Sequence, residues 1–195
     1  MFISFEGIDG SGKTTQSRLL ADALRADGAD VVLTREPGGT PLGEEIRELL
    51  LHGGHVAPWA EAALYTASRA QHVDEVIRPA LARGATVVCD RYLDSSAAYQ
   101  GAGRGLGLDA VYALNVTAVG GLLPERTFLV EIDVATAAER VGSTRDRIES
   151  DGLALWERAA AGYRELAERF PGRYVVIDGR RDPDTIAQEI RGSLR

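Results

Sequence analysis

An eight-residue stretch near the start of the chain constrains the fold more than any other feature. It reads GIDGSGKT over residues 7–14 and matches the pattern G-x-x-x-x-G-K-[ST]. An apolar run precedes it and an amphipathic helical pattern follows it. Its glycines let the backbone wrap closely, so that N–H groups point at a phosphate beside the positive end of the next helix. The stretch therefore predicts a strand, a phosphate-binding loop and a helix, in that order.

The residue types in this loop predict that it binds a nucleoside triphosphate together with a metal ion. Lys13 is expected to reach the β- and γ-phosphates, and Thr14 to offer its hydroxyl to Mg²⁺. Asp9 is unusual, because it brings a negative charge into a site for negative charge. The loop alone leaves motors, switches, ATPases and kinases open. The predicted ATP-binding residues are Gly7, Ile8, Asp9, Gly10, Ser11, Gly12, Lys13 and Thr14.

Apolar runs alternate with helical patterns along the rest of the chain, and Pro79 should kink or restart the long helix at 58–83. This alternation predicts an α/β fold in three layers, a five-stranded parallel sheet with helices on both faces, and the phosphate loop makes it one of the P-loop NTPase type. We expect one domain over residues 1–195. The predicted strands are 2–6, 30–34, 85–90, 127–132 and 174–178. The predicted helices are 14–27, 41–51, 58–83, 94–99, 109–119, 135–141, 149–170 and 182–194.

Charge and composition exclude several classes of protein. The 22 basic and 29 acidic residues give a net charge of −7, which argues against nucleic acid as a partner. No apolar run is long enough to cross a membrane, and the N-terminus has no signal-peptide pattern, so we expect a cytoplasmic protein without a membrane partner. The single cysteine, Cys89, permits no internal disulfide and is expected inside a buried strand.

Charged residues follow the second and third predicted strands, at the edge where open α/β sheets bind ligands. Arg35 comes directly after the second predicted strand, at its carboxyl end, and Arg47 lies on the next helix. Asp90 and Arg91 end the third strand side by side. An acid at this position suits Mg²⁺, and a neighbouring arginine suits a second phosphate group.

A polar segment between helices, VGSTRDRIES over residues 141–150, has the composition of a closing lid with arginines. Arg145 and Arg147 are its candidate catalytic residues. Taken singly, each arginine is more often a solvated surface charge. Together with the strand-end residues, they predict two facing phosphate sites, hence phosphoryl transfer from ATP to a phosphorylated acceptor.

Longer motifs make the prediction more specific. The sequence resembles thymidylate kinases, in the bacterial form with a basic lid, over essentially its whole length. This resemblance implies phosphorylation of dTMP to dTDP with MgATP, for dTTP synthesis, by a homodimer packed through helices. It rests on the motifs FEGIDGSGKTTQ, TREPGGTPLGEEIR, DRYLDSSAAYQGAGRG and DRIE.

The resemblance also implies a role for each acceptor-site residue. Asp9 would turn from the ATP phosphates to the 3′-hydroxyl of the deoxyribose, although it could instead only tighten the loop. Tyr65 replaces the family's phenylalanine and would still stack on thymine, and Tyr99 would exclude a 2′-hydroxyl. Without the surrounding motif, both tyrosines would be read as core packing. Arg69 would contact the pyrimidine edge, Ser96 and Gln100 would hydrogen-bond the base, and Arg35, Arg47 and Arg91 would hold the acceptor phosphate.

Lys13, Arg91, Arg145 and Arg147 are the expected catalytic residues, with Arg140 ranked below them. The position of adenine, near residues 178–182, follows from fold analogy. Arg104 could contact either nucleotide or solvent.

Two rival functions remain open at this point. The first is another small-molecule kinase on the same fold, for a deoxynucleoside or a different monophosphate. The second is a GTPase-like switch, which the lack of an N-K-x-D tetrad disfavours.

Overall fold

The computed structural model describes residues 1–142 and 152–194, and a parallel sheet of five strands forms its centre. The strands lie in the order β2-β3-β1-β4-β5, and every neighbouring pair is parallel. This confirms the predicted fold class. The strands are β1 Phe2–Glu6, β2 Val31–Arg35, β3 Thr86–Asp90, β4 Arg126–Glu131 and β5 Tyr174–Asp178.

Helices cover both faces of this sheet, because alternate residues of each strand point to opposite sides. On one face, Ile3 and Phe5 pack with apolar residues of α1 and α9. On the other face, Phe2 packs with residues of the α3–α6 region. The helices are α1 Lys13–Ala26, α2 Pro41–His52, α3 Pro58–His72, α4 Arg78–Ala82, α5 Leu93–Ser96, α6 Leu108–Ala118, α7 Val134–Val141, α8 Leu153–Arg169 and α9 Pro183–Gly192.

Two predicted helices are interrupted by π-helical turns. The long helix at 58–83 changes to a π-helical segment at Val73–Ile77 and restarts as α4, with Pro79 in its first turn. The expected effect of Pro79 is thus confirmed, since its missing N–H suits a helix start. The helix predicted at 94–99 is wrong in extent. It is the short α5, followed by a π-helical segment at Ala97–Gly103 that continues into the glycine-rich stretch.

The strand register brings the polar strand ends to one edge. Phe5 of β1 and Arg35 of β2 both pair with Asp90 of β3. The loop after β1 therefore lies beside Asp90 and Arg91, at the place where the strand order diverges from β1 to either side.

Cys89 is fully buried in β3, as predicted. Within residues 1–142 and 152–194, none of the helices has the length and apolar character needed to span a bilayer.

Candidate active site

The residues predicted to bind the acceptor nucleotide come together in one cleft of about 550 Å³ beside the phosphate loop. The structure brings eight of the nine to its walls. The cleft is also lined by Glu36, Pro37, Leu51 and Ser95, to which the sequence analysis gave no role. The eight are Asp9, Arg47, Tyr65, Arg69, Arg91, Ser96, Tyr99 and Gln100.

Arg35 is the exception. It lies in a separate groove with Thr14 and Asp90. Its Nη2 donates to the Glu44 carboxylate at 2.8 Å, and that carboxylate also accepts from the backbone N–H of Gly39. Glu44 thus holds Arg35 away from the cleft, and the predicted contact of Arg35 with the acceptor phosphate stays untested.

A second pocket, of about 1010 Å³, opens over the phosphate loop. Residues 10–16 line it, together with Arg140, Gly179 and Arg181. The helix α1 begins at Lys13, and no side chain in the described part of the chain caps its N-terminus. Its first N–H groups are therefore left for an anion.

Three of the predicted ATP-binding residues do not line this second pocket. Ile8 is buried, and its carbonyl oxygen accepts from Lys13 Nζ at 3.4 Å. The Gly7 carbonyl accepts from Arg91. The third is Asp9, which faces the acceptor cleft.

Asp9 links the two pockets through its carboxylate. Oδ1 lies 2.5 Å from Arg91 Nη2 and 3.4 Å from Lys13 Nζ. Oδ2 accepts from the Tyr99 hydroxyl at 2.8 Å. Burial opposes ionisation, but the charges of Arg91 and Lys13 and the Tyr99 hydrogen bond outweigh it and hold the pKa of Asp9 below its ordinary value. Asp9 is therefore a carboxylate anion whose charge is balanced by the cations of Arg91 and Lys13.

Arg91 is held in position from several sides. Its Nη1 donates to the Gly7 carbonyl at 3.0 Å, to Ser95 Oγ at 3.1 Å and to the Tyr163 hydroxyl at 3.2 Å. Its φ of 72° is the only positive value at a non-glycine residue among those described. Such a conformation persists where surrounding contacts determine it, and it occurs often at functional sites.

A buried acid, Glu6, hydrogen-bonds two of the side chains that hold Arg91 in position. Its Oε2 accepts from Ser95 Oγ at 2.6 Å and from the Tyr163 hydroxyl at 3.1 Å. Its Oε1 accepts from the backbone N–H of Tyr92 at 2.7 Å. Burial, and then the negative charge of Asp94, raise the pKa of Glu6 to about 8. One signal in the sequence could have identified Glu6, namely a carboxylate at the end of an apolar strand.

Arg69 lies at the opposite end of the cleft and is almost fully buried. Its Nε donates to Glu36 at 2.6 Å, and its Nη2 to the Tyr92 carbonyl at 3.1 Å. Its Nη1 donates to Ser96 Oγ at 2.9 Å and to Asn115. Four of its five N–H donors thereby have acceptors among the described residues, and one on Nη2 has none there.

Thr14 and Asp90 form a group that fits a divalent cation. Thr14 Oγ1 lies 2.5 Å from Asp90 Oδ2. Asp90 Oδ1 is buried and has no hydrogen-bond partner among the described residues. A hydroxyl and a carboxylate oxygen with an unused lone pair are the donors that Mg²⁺ prefers.

The remaining arginines divide into three cases. Arg140 donates to the carbonyl oxygens of Gly10 at 3.3 Å and Gly179 at 3.1 Å, so it sits at the phosphate loop. Arg104 forms an ion pair with Glu61 at 3.0 Å, and the choice between a nucleotide contact and solvent stays untested. Arg145 and Arg147, with most of the lid predicted at 141–150, lie outside the described residues.

The sheet order and the loop at the carboxyl edge of β1 define a P-loop NTPase fold. Comparison with known proteins narrows this class. The family model for thymidylate kinase matches residues 5–190. The chain belongs to the thymidylate kinase family, whose members are phosphotransferases.

Individual relatives agree with this assignment. A thymidylate kinase from Clavibacter michiganensis is 51% identical over 195 residues, covering 98% of this chain and 92% of the relative. One from Pelotomaculum thermopropionicum is 50% identical over 185 residues, covering 92% and 86%. The crystal structure of thymidylate kinase from Ehrlichia chaffeensis superposes with a TM-score of 0.83 at 35% identity, over 100% of this chain and 98% of that one.

Proposed function

We propose that this chain transfers the γ-phosphoryl group of ATP to a phosphate oxygen of dTMP, giving dTDP and ADP. One observation carries the proposal beyond family membership. Eight residues predicted to bind dTMP line a single cleft, and that cleft adjoins the phosphate loop through Asp9. The two pockets are thus suited to two nucleotides whose phosphates meet.

In this proposal the acceptor nucleotide lies with its phosphate near Arg91 and its base near Arg69. Asp9 and Tyr99 form a hydrogen-bonded pair at the middle of the cleft, where a deoxyribose would lie. Arg47, whose Nη1 donates to the Pro37 carbonyl at 3.0 Å, has further donors for the acceptor phosphate. Tyr65 lines the cleft and offers an aromatic face to the base.

The chemistry requires charge neutralisation and alignment more than a strong base. A phosphate monoester has a second pKa near 6, so the acceptor oxygen is already anionic at neutral pH. Lys13 and Arg91 would hold the donor and acceptor phosphates in line on the two sides of Asp9. Thr14 and Asp90 would hold Mg²⁺, which neutralises charge on the β- and γ-phosphates when bound.

Three further parts of the proposal come from the sequence. Arg145 and Arg147 would complete the charge around the γ-phosphoryl group, and Arg140 is placed to assist at the loop. Adenine would lie near residues 178–182, which is supported by Gly179 and Arg181 in the wall of the second pocket. A homodimer and a cytoplasmic location remain predictions.

The first experiment measures ADP formation with MgATP and a panel of acceptors: dTMP, dUMP, the ribonucleotide of thymine, dCMP, AMP and thymidine. We expect turnover with dTMP, weaker turnover with dUMP and little with the others. A preference for thymidine would favour a deoxynucleoside kinase, and a preference for AMP another monophosphate kinase. An ADP rate that ignores the acceptor would contradict the assignment of the cleft.

A further inference from the structure

A buried ion pair lies directly behind the base end of the acceptor cleft. Glu61 of α3 has only 1% of its side chain exposed, and Arg104 approaches it from the end of the π-helical segment. Arg104 Nε lies 3.1 Å from Glu61 Oε1, and Nη2 lies 3.0 Å from Oε2. A carboxylate that receives both arms of a guanidinium acts as an acceptor only.

The same carboxylate determines which way the amide of Gln100 faces. Gln100 Nε2 lies 2.9 Å from Glu61 Oε1. Because a carboxylate cannot donate, the amide must turn its NH₂ group toward Glu61. Its carbonyl Oε1 is the other end of the amide, and within the described part of the chain it has no hydrogen-bond partner. Gln100 lines the cleft, so this oxygen is available to a ligand.

The base end of the cleft then has a defined pattern of donors and acceptors. Arg69 has one N–H on Nη2 for which residues 1–142 and 152–194 supply no acceptor. Ser96 Oγ accepts from Arg69, so its own hydroxyl proton is free to donate. Gln100 supplies an acceptor. Thymine and uracil carry an N–H at ring position 3 between two carbonyl oxygens, whereas cytosine has an acceptor nitrogen there.

We propose that Glu61 and Arg104 are positioning residues for base selection: they lock the Gln100 amide with its oxygen toward the cleft, which accepts bases with N3–H and rejects cytosine. The inference rests on the proposed function, since it concerns the same acceptor cleft. It addresses the choice of thymine or uracil over cytosine, and leaves the choice between thymine and uracil to other contacts.

The test is the ratio of kcat/KM for dTMP to kcat/KM for dCMP in matched variants. In Glu61→Gln, the new side chain can donate as well as accept, so the Gln100 amide can turn over and offer its NH₂ to cytosine. We expect the ratio to fall by about tenfold or more, with an absolute gain for dCMP and a raised KM for dTMP.

Arg104→Met gives an independent reading at a less buried position, with 18% of the arginine side chain exposed. It removes the guanidinium that pairs with both oxygens of Glu61, so the carboxylate is held less firmly and its hold on the Gln100 amide is weakened. As in Glu61→Gln, we expect the ratio of kcat/KM for dTMP to that for dCMP to fall. Glu75→Gln is the control, because Glu75 accepts from Gln71 in the same kind of pair on the surface, outside the cleft.

The outcomes separate this inference from a merely structural effect. If Glu61→Gln and Arg104→Met lower kcat/KM for dTMP and for dCMP by the same factor, the ratio is unchanged. The ion pair then does not select the base, and the inference is overturned. If the unmodified protein does not phosphorylate dTMP, the proposed function itself fails, and the inference fails with it. The inference is supported if the ratio of kcat/KM for dTMP to that for dCMP falls in Glu61→Gln and Arg104→Met and stays unchanged in Glu75→Gln.

Discussion

At the scale of single residues, the contacts of Asp9 explain how a phosphate-binding loop can carry a negative charge. Its carboxylate faces away from the second pocket and is balanced by Lys13 and Arg91, while Tyr99 donates to it. An anion in this position orders two cations that would otherwise repel each other. It can also accept a hydrogen bond from a sugar hydroxyl.

Asp9→Asn tests this role, because it keeps the shape of the side chain and removes the charge. We expect kcat/KM for dTMP to fall by about 10- to 100-fold while the KM for ATP changes little. The free energy of unfolding at neutral pH should fall by about 1–3 kcal/mol, less than for a fully buried pair because 24% of the Asp9 side chain is exposed.

The pH dependence of that stability difference has a definite sign. The folded state lowers the pKa of Asp9, so its contribution is fully present above the ordinary pKa near 4 and is lost as the pH falls below it. The difference between the two proteins, measured by urea unfolding, should stay constant from about pH 5 upward and shrink in acid. Asp22→Asn, which breaks an exposed ion pair with Arg25, is the control and should change little. An equal effect of both variants would argue against the role given to Asp9.

At the residue scale, the sequence points to candidate residues where a local motif or a strand end carries the chemistry, and their roles stay predictions. Lys13, Thr14, Asp90 and Arg91 could be chosen because each occupies a recognisable place in the chain. Residues that act through distant partners could not be chosen in this way. Tyr163 contacts Arg91 across 72 positions and Glu6 across 157, and only tertiary packing brings them together.

At the scale of elements, the packing of α7 on the phosphate loop couples helix position to the ATP pocket. Gly10 has a φ of 75°, and a Cβ built there would lie 2.6 Å from the Ala137 carbonyl oxygen of α7. Arg140 on the same helix donates to the Gly10 carbonyl. The loop therefore has no room to carry a side chain at this position unless α7 moves.

Gly10→Ala should raise the KM for ATP by about tenfold or more, because the loop and α7 must separate and misalign the phosphate-binding groups. Binding of dTMP alone, measured by calorimetry, should change little. Gly28→Ala provides a matched control, since Gly28 has a φ of 86° and open space around it. Both variants carry the strain of a positive φ, about 1–2 kcal/mol. A similar KM for ATP in the two would show that strain, and not the contact with α7, is responsible.

Element limits were predictable where patterns are clean. The predicted limits of β1 and β5 match the structure, because each is a short, mostly apolar run that ends in an acid and is followed by a glycine. The π-helical segments at Val73–Ile77 and Ala97–Gly103 were missed. A π-helical turn is rare and lies within an otherwise ordinary helix, so a helical pattern of apolar residues does not reveal it.

At the scale of the whole molecule, exposed apolar side chains on adjacent helices suggest where a second copy would bind. Leu42 and Leu49 lie seven residues apart on α2, hence on one face of that helix, and are 46% and 57% exposed. Trp59 on α3 is 52% exposed, and Leu114 on α6 is 38% exposed. Since α3 packs against both α2 and α6, these side chains belong to neighbouring helices. This arrangement supports the predicted homodimer through helices.

Leu49→Asp should convert a dimer into a monomer, because a charge at the centre of an apolar interface is desolvated without a partner. Light scattering should give about twice the 20.9 kDa chain mass for the unmodified protein and a single chain mass for the variant. The unmodified protein's Tm should rise with protein concentration, whereas that of the variant should not. Val176→Asp, at a 51% exposed position on the edge strand β5, is the matched control and should keep the dimer mass. A single chain mass for the unmodified protein would exclude the homodimer, and a dimer mass for Leu49→Asp would move the interface to another surface.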